Sequence, residues 1–518
     1  MKKENERKSL FFILYILALG VFCIASSPLI ATKSTDSEVF WLMGRGMASG
    51  KVLYKDLFDH KGIYTYFFNA LGSYLDSLFQ SEIGLFIVET ILTVFSEIFL
   101  KKTASLFLKS ESEQIISAFL GAMLLFNYFT HQGGNMTETY ALTFQIISMY
   151  YVAKYYFKDI YKKDSNIGFP PHYMFILGIC VGICFLLKAN YVAMWIPIPF
   201  VLGISFLRRK QYRDLCLNLF FGVVGIFVSW MPALFYGALF DCMQDVYFAM
   251  IKFNFMYISG EGLNLIGLFL ETPENIFIIA SAFSIFIVLR NKRKVAFEFK
   301  LAIISSFLLS IYFIFSSGRT FGHYYHYFLP YIYPLCIGFV SICYNKIHWF
   351  SRYKSFILIG IFCFTVLFNG RFPIKLFLNT DTSRQKEYSQ TVEKIVSCIE
   401  CQDLSNNVLA VGNNVEFYNQ MNCIPDIKFF YLPSIDWHIF PDAVRMQEDL
   451  IIHAKKEYLI VPVMEKENLN RTREQKVIGL SDEKSYLIEF SLQNNYKELL
   501  HIINEKNDDF ILYKKVKR

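Results

Sequence analysis

Apolar and polar positions fall along this chain in long blocks, not in the short periods of a soluble fold. Apolar runs with few charges recur at about 9–31, 83–100, 114–131, 139–157, 173–189, 191–207, 215–239, 274–290, 298–316, 327–344 and 355–370. Runs of about 17–25 such residues are the length of a membrane-crossing helix, so the pattern predicts about eleven spans. The first run, SLFFILYILALGVFCIASSPLIA, is too long for the apolar region of a signal peptide. It also lacks a small-residue cleavage site, and so reads as a retained anchor.

Sidedness follows from the charges between the runs. Lys and Arg in short loops mark the cytoplasmic face. With the N-terminus inside, the loops holding Lys101, Lys162, Arg208, Arg293 and Lys346 all fall on that face. The segment IYTYFFNALGSYLDSLF (63–79) would reverse this if it crossed. At about 1.5 Å per residue it is too short for a core of about 30 Å. It also carries Asn69 and Asp76. It is therefore expected to be an aromatic helix lying at the outer interface.

After residue 370 the pattern changes. Helix-like SRQKEYSQTVEKIVSCIE is followed by the short β-like runs NVLAVGN, EYLIVPV and DFILYKKV, which suggest a small α/β domain. The expected architecture is mainly α: a polytopic bundle over 1–370, including a first outer loop at 32–82, and an extracytoplasmic α/β domain over 371–518. No G-x-G-x-x-G opens a helix in the tail, which argues against a bound nucleotide there.

Composition narrows the class. The 518 residues are 54% hydrophobic but only 18% charged, which excludes an ordinary soluble enzyme. The net charge of +7 sits in short clusters at helix ends, so nucleic acid is not an expected partner. Most of the 11 cysteines lie in or beside apolar runs, where Cys acts as a small hydrophobe. Cys398 and Cys401 have C-x-x-C spacing. Without further ligands, a disulfide or chance spacing ranks ahead of zinc or redox chemistry.

The ionisable groups of STDSEVFWLMGRGMASGKVLYKDLFDHKG (34–62) all fall on the outer side: Asp36, Glu38, Arg45, Lys51, Asp56, Asp59, His60 and Lys61. HQGGNMTET (131–139), the long 241–273 loop and SSGRTFGHYYHYF (316–328) share that side. Ionisable groups gathered where a chain re-enters the apolar layer point to a functional site. Single positions also suit plainer roles. Ser34, Thr35 or Asp36 can cap the following helix, Glu138 can cap another, and Lys61 and Lys188 can snorkel.

The order of these motifs resembles integral-membrane GT-C glycosyltransferases, most closely the protein O-mannosyltransferase, aminoarabinose-transferase and RgtA/B/C/D-like group. Asp36 stands at the first acidic position of the family pattern. Ser37 replaces the usual adjacent Glu, with Glu38 one place later. Lys61 matches the motif lysine, His60 stands where an acid is common, and Gly62 replaces Pro. GGNMTETYAL (133–142), GICVGICFLLKANY (178–191) and HYYHYFLPYIYPL (323–335) extend the resemblance through the tenth span.

The resemblance implies a membrane glycosyltransferase that takes a sugar from a polyprenyl-phosphate donor and transfers it to an extracytoplasmic acceptor, a cell-envelope glycan, lipid or protein. It further implies a multi-pass inner- or plasma-membrane protein with a cytoplasmic N-terminus. Asp36 is the candidate base that takes the acceptor's proton. Lys61, Arg319, His323 and Lys188 are candidates to meet the departing phosphate. Glu38, Arg45, Asp59, His60, Asn135, Glu138, Tyr324 and His326 are candidate substrate contacts. A single carboxylate implies inversion, whereas retention would require a second, from Asp59 or Glu138. The motifs specify no cofactor with certainty, and a divalent metal is the one candidate. His323 and His326 with Asp59 or His60 would suit a divalent metal, but two histidines make an incomplete site. The rival classes are a transporter or lipid flippase, a glycan polymerase or ligase, and a structural membrane subunit. No internal repeat of the transporter kind is visible.

Overall fold

The computed structural model describes residues 2–27, 34–159, 168–258, 273–290, 296–316, 321–346, 350, 352–369, 382–467, 473–477, 480–502 and 509–516. It is mainly helical. The chain opens with α1 (Lys2–Cys23), α2 (Thr35–Ala48), α3 (Ile63–Phe79), α4 (Gly84–Ala104) and α5 (Glu111–Leu125). Helices Thr137–Lys154, Pro171–Phe185, Pro197–Arg208, Tyr212–Leu239, Ile276–Arg290, Phe297–Ile314, Leu329–Lys346 and Lys354–Asn369 follow. Every apolar run found in the sequence thus carries a helix.

Two boundaries differ from the sequence reading. The run at 114–131 is broken after Leu125 and resumes as the short turn Tyr128–His131. The run at 191–207 begins as a tight 3-10 turn, Ala189–Met194, and Pro197 opens the helix proper. Proline is favoured there because the first helical turn needs no N–H from it. Part of the long 241–273 loop is also helical, from Met243 to Ile258.

Among the described residues, five helical segments are long and apolar enough to cross a membrane: 189–208, 212–239, 273–290, 297–314 and 322–346. Leu10–Cys23, Pro171–Phe185 and Lys354–Leu367 are shorter apolar helices. This is the make-up of a multi-pass membrane protein. Tyr212–Leu239 turns Phe220, Val223, Phe227 and Phe235 outward, as a lipid-facing surface requires. Its other side packs on Pro171–Phe185 through small residues. A Cβ on Gly178 would strike the Gly222 carbonyl, one on Gly225 the Phe175 carbonyl, and one on Gly182 the Ser229 hydroxyl. Close approach through small residues is how helices associate where lipid removes the hydrophobic drive.

The chain divides into two compact units. The first comprises Met1–Thr32, Lys61–Asp241 and Glu261–Ile374. Two apolar cores lie within it, one around Tyr191, Tyr325 and Phe328, the other around Leu19, Phe119 and Tyr333.

The second unit comprises Lys33–His60, Cys242–Gly260 and Lys375–Arg518. Its sheet runs β1-β2-β5-β4, with β3 (Arg473–Val477) also on β2. β1 (Val408–Ala410) is parallel to β2 (Tyr458–Glu467), while β5 (Asp509–Lys515) lies antiparallel to β2 and to β4 (Tyr496–Ile502). Leu409, Leu459, Val461 and Ile511 give this unit its own core with Ile451 and Ile488 from two helices. The three β-like runs of the tail are therefore strands β1, β2 and β5.

Candidate functional site

In the first unit, the polar groups gather where the helix Thr137–Lys154 begins. The loop before it, Gln132-Gly133-Gly134-Asn135, holds four consecutive positive φ angles of 50°, 88°, 93° and 50°. Only glycine adopts this readily, with asparagine next. The loop wraps the carboxylate of Glu89 in α4. Asn135 donates its N–H to Glu89 Oε1, Ser26 donates its hydroxyl to Glu89 Oε2, and a Cβ on Gly134 would strike Oε1. The Asn135 side-chain oxygen accepts from Asn69 Nδ2 at 2.9 Å and from the Tyr140 hydroxyl at 2.6 Å. Asn135 thus ties α3 to the helix that follows it.

Glu138 lies in the first turn of that helix. Met136 occupies the cap position, so Glu138 does not cap it. Its buried carboxylate accepts from the Thr137 hydroxyl at 2.9 Å and pairs with Lys188 Nζ at 3.4 Å. The Lys188 ammonium also lies 4.0 Å from the centre of the Tyr324 ring. His323 packs edge-on against Tyr324, and its Nδ1 lies 3.2 Å from Gln132 Oε1. His326 is buried against the His131 ring, with centroids 5.8 Å apart.

Lys61 belongs to the same unit. Gly62 next to it donates its N–H to the Leu187 carbonyl at 2.8 Å, and Tyr64 donates to Leu186 at 3.1 Å. Two backbone bonds therefore join the segment carrying Lys61 to the segment carrying Lys188. Proline, the residue the motif resemblance leads one to expect at position 62, has no N–H to make the first of them. A Cβ there would also strike the Leu186 carbonyl.

The second unit holds the remaining candidates. Ser34 is the cap of α2, accepting from Ser37 N at 3.3 Å, which leaves the half-buried Asp36 carboxylate free of that duty. Asp59 is buried and accepts the Tyr431 hydroxyl. Burial, then Asp59, then Asp36 push the Tyr431 hydroxyl well above the usual tyrosine range. Asp36 and Asp59 thus act on the same phenol. His60 Nδ1 lies 3.1 Å from Asp59 Oδ1, and its ring stacks on Tyr257. Glu38 and Arg45 are both engaged by Asn419. The Asn419 amide donates to the Glu38 carboxylate, and its oxygen accepts from Arg45 Nη1 at 3.0 Å.

The structure therefore links Glu138, Lys188, Tyr324 and His323 by contact in the first unit, which also holds Lys61, Asn135 and His326. It places Asp36, Glu38, Arg45, Asp59 and His60 in the second. Arg319 lies outside the described residues. Among the described residues, no three His, Cys, Asp or Glu side chains gather as a metal would require. Cys398 and Cys401 are free thiols. Sequence reasoning missed Glu89 and Tyr431, and it used Asn69 only as a mark against crossing. Glu89 sits inside an apolar run, and Tyr431 lies far along the chain from the loop it touches.

A crystal structure of ArnT from Cupriavidus metallidurans bound to undecaprenyl phosphate resembles this chain with a TM-score of 0.56 at 10% identity, covering 98% of each chain. The fold is GT-C-like. No family model matches the sequence, and no curated protein does. At this identity the likeness speaks to the fold.

Proposed function

We propose that this chain is a membrane glycosyltransferase that moves a sugar from a polyprenyl-phosphate donor to an acceptor hydroxyl outside the cytoplasm. The observation that carries the proposal is the GT-C-like fold across nearly the whole chain, matched to a structure that holds undecaprenyl phosphate. The presence of Lys61 and Lys188 in the first unit supports it, since a departing phosphate needs positive charge as its own negative charge develops.

In this reading the acceptor oxygen attacks the anomeric carbon and the bond from that carbon to the phosphate oxygen breaks. The electron pair leaves with the polyprenyl phosphate. Asp36 takes the acceptor's proton, and the configuration inverts in one step. Lys61, Lys188 and His323 meet the phosphate, and Arg319 is the further cation the sequence offers for that role. Tyr324 and Glu138 hold Lys188 in place, and Asp59 and His60 border the acceptor. The protein sits in the inner or plasma membrane with the second unit outside the cytoplasm, and the acceptor is a cell-envelope glycan, lipid or protein.

The test is to incubate purified protein in lipid nanodiscs with radiolabelled undecaprenyl-phosphate monosaccharides. Wild type should release free undecaprenyl phosphate, whereas folded Asp36→Asn and Lys61→Ala should not. Donor crossing vesicles uncleaved would make the protein a transporter instead.

A further inference from the structure

The second unit unites the first outer loop with the C-terminal tail, and the join between them is specific. Arg45 is buried near the end of α2, with Nη1 on Asn419 Oδ1 at 3.0 Å and Nη2 on Asn422 Oδ1 at 2.6 Å. The Asn419 amide donates to the Glu38 carboxylate and, at 3.0 Å, to the Glu38 carbonyl. One asparagine side chain thus holds both turns of α2 that flank its middle. Asn422 presents its oxygen from a left-handed turn, φ 49°, which asparagine tolerates better than most residues. Packing tightens the same join, because a Cβ on Gly46 would strike the Leu57 side chain and lie 3.6 Å from Ile424. Farther along, Phe58 donates its N–H to the Lys428 carbonyl at 2.9 Å, and Tyr431 donates to Asp59. The Lys51–Asp426 pair is exposed, and water screens it.

We infer that Asn419, with Asn422, is a positioning residue: through Arg45 and Glu38 it fixes the helix that carries Asp36, so that the tail orients the proposed base. The inference rests on the reading of Asp36 as that base. Arg45 and Glu38 act in it as the grips of α2. A buried arginine fork engaged by two amide oxygens is a rigid connection, because its donors are fixed in a plane. Asp36 lies in the same first helical turn as Glu38, so rotation of α2 would move its carboxylate directly.

The experiment uses the full-length protein in lipid nanodiscs and compares wild type, Asn419→Ala, Asn422→Ala, Lys51→Ala and Asp36→Asn. Hydrogen exchange reads the clamp without any substrate. Amides of α2 should exchange at least about tenfold faster in Asn419→Ala, while those of β2 and β5 hold their wild-type rates. Turnover of the undecaprenyl-phosphate sugar should then fall about ten- to a hundredfold in kcat with donor KM within about twofold, the mark of a displaced catalytic group. Asn422→Ala should show a smaller version of both effects, and Lys51→Ala neither.

Unchanged exchange in α2 overturns the clamp. So does a loss that spreads equally over the sheet and appears in Lys51→Ala, which would mark a merely structural contact. An inactive Asp36→Asn beside a fully active Asn419→Ala leaves the base standing and removes the positioning role. A fully active Asp36→Asn removes the base and the inference with it.

Discussion

Lys188 sits between a carboxylate and an aromatic face, with its ammonium 3.4 Å from Glu138 Oε1 and 4.0 Å from the centre of the Tyr324 ring. The carboxylate is buried, so removing the cation strands a charge away from water. Such a loss costs about 3–5 kcal/mol, whereas removing both charges together costs much less. Lys188→Ala should therefore lower the stability of the protein in nanodiscs by about 3 kcal/mol. The double variant with Glu138→Gln should regain most of that. Thermal unfolding of wild type, Lys188→Ala, Glu138→Gln and the double variant measures it, and a double variant as unstable as Lys188→Ala would show that the pair is not coupled.

Gly62 makes a second prediction, because it departs from the residue the family resemblance leads one to expect. Its N–H bonds Leu187, and a Cβ at this position would overlap the Leu186 carbonyl. Gly62→Ala should cost about 1–3 kcal/mol through overpacking against backbone that has no rotamer to give. Gly62→Pro should cost about 1 kcal/mol more for the lost hydrogen bond. If Lys61 is held for the phosphate by this join, both variants should also raise the donor KM. A Gly62→Pro protein with wild-type melting and donor KM would count against the join.

Much of the frame was legible from the chain alone. Apolar runs are local, and their length fixes a helix without knowledge of its neighbours, so the positions of the helices and of strands β1, β2 and β5 could be read directly. Candidate site residues could be proposed from sequence only where they stood at the ends of or between apolar runs, as Asp36, Lys61 and His323 do. Glu89 was invisible because it is one carboxylate within GLFIVETILTVF, and nothing local says that a loop of left-handed residues will close around it. The GGN sequence did carry a signal, since consecutive glycines before asparagine mark backbone that other residues resist. Reading it as a cradle requires knowing what it surrounds. The association of residues 33–60 with the tail was likewise hidden, because Arg45 and Asn419 lie hundreds of positions apart and each looks like an ordinary polar residue.

That cradle can be tested. Gly134 has φ 93°, and a Cβ there would overlap Glu89 Oε1. Gly134→Ala pays both for a left-handed backbone, about 1–2 kcal/mol, and for displacing the carboxylate that accepts the Asn135 N–H. Gly50, with φ 92° and open space around its would-be Cβ, is the matched comparison. Gly50→Ala should show the backbone cost alone. Melting temperatures should fall in both, and further in Gly134→Ala. Equal losses would mean that Glu89 moves aside freely and that the loop does not cradle it.

The last prediction concerns pH. Glu416 begins the short helix that carries Asn419, and burial pushes its carboxyl up to about 7, with the charge of Glu38 pushing the same way. A carboxyl raised above its unfolded value of 4.5 binds its proton more tightly in the folded state. The stability linked to that proton is therefore fully present below about pH 4.5 and is lost as pH rises through about 7. Near pH 8 the native protein holds a half-buried carboxylate beside Glu38, at a cost of about 2–3 kcal/mol. Glu416→Gln keeps the shape and removes the charge. It should raise the melting temperature at pH 8, leave it almost unchanged at pH 4.5, and flatten the decline between those values. Hydrogen exchange in α2 offers a local check, because the second carboxylate in this pair sits on that helix. Protection of α2 in wild type should weaken from pH 6 to pH 8 beyond the intrinsic rate change, and Glu416→Gln should abolish the excess. A wild-type profile that is already flat across this range would show that Glu416 ionises as it does in water, with no part in holding the clamp.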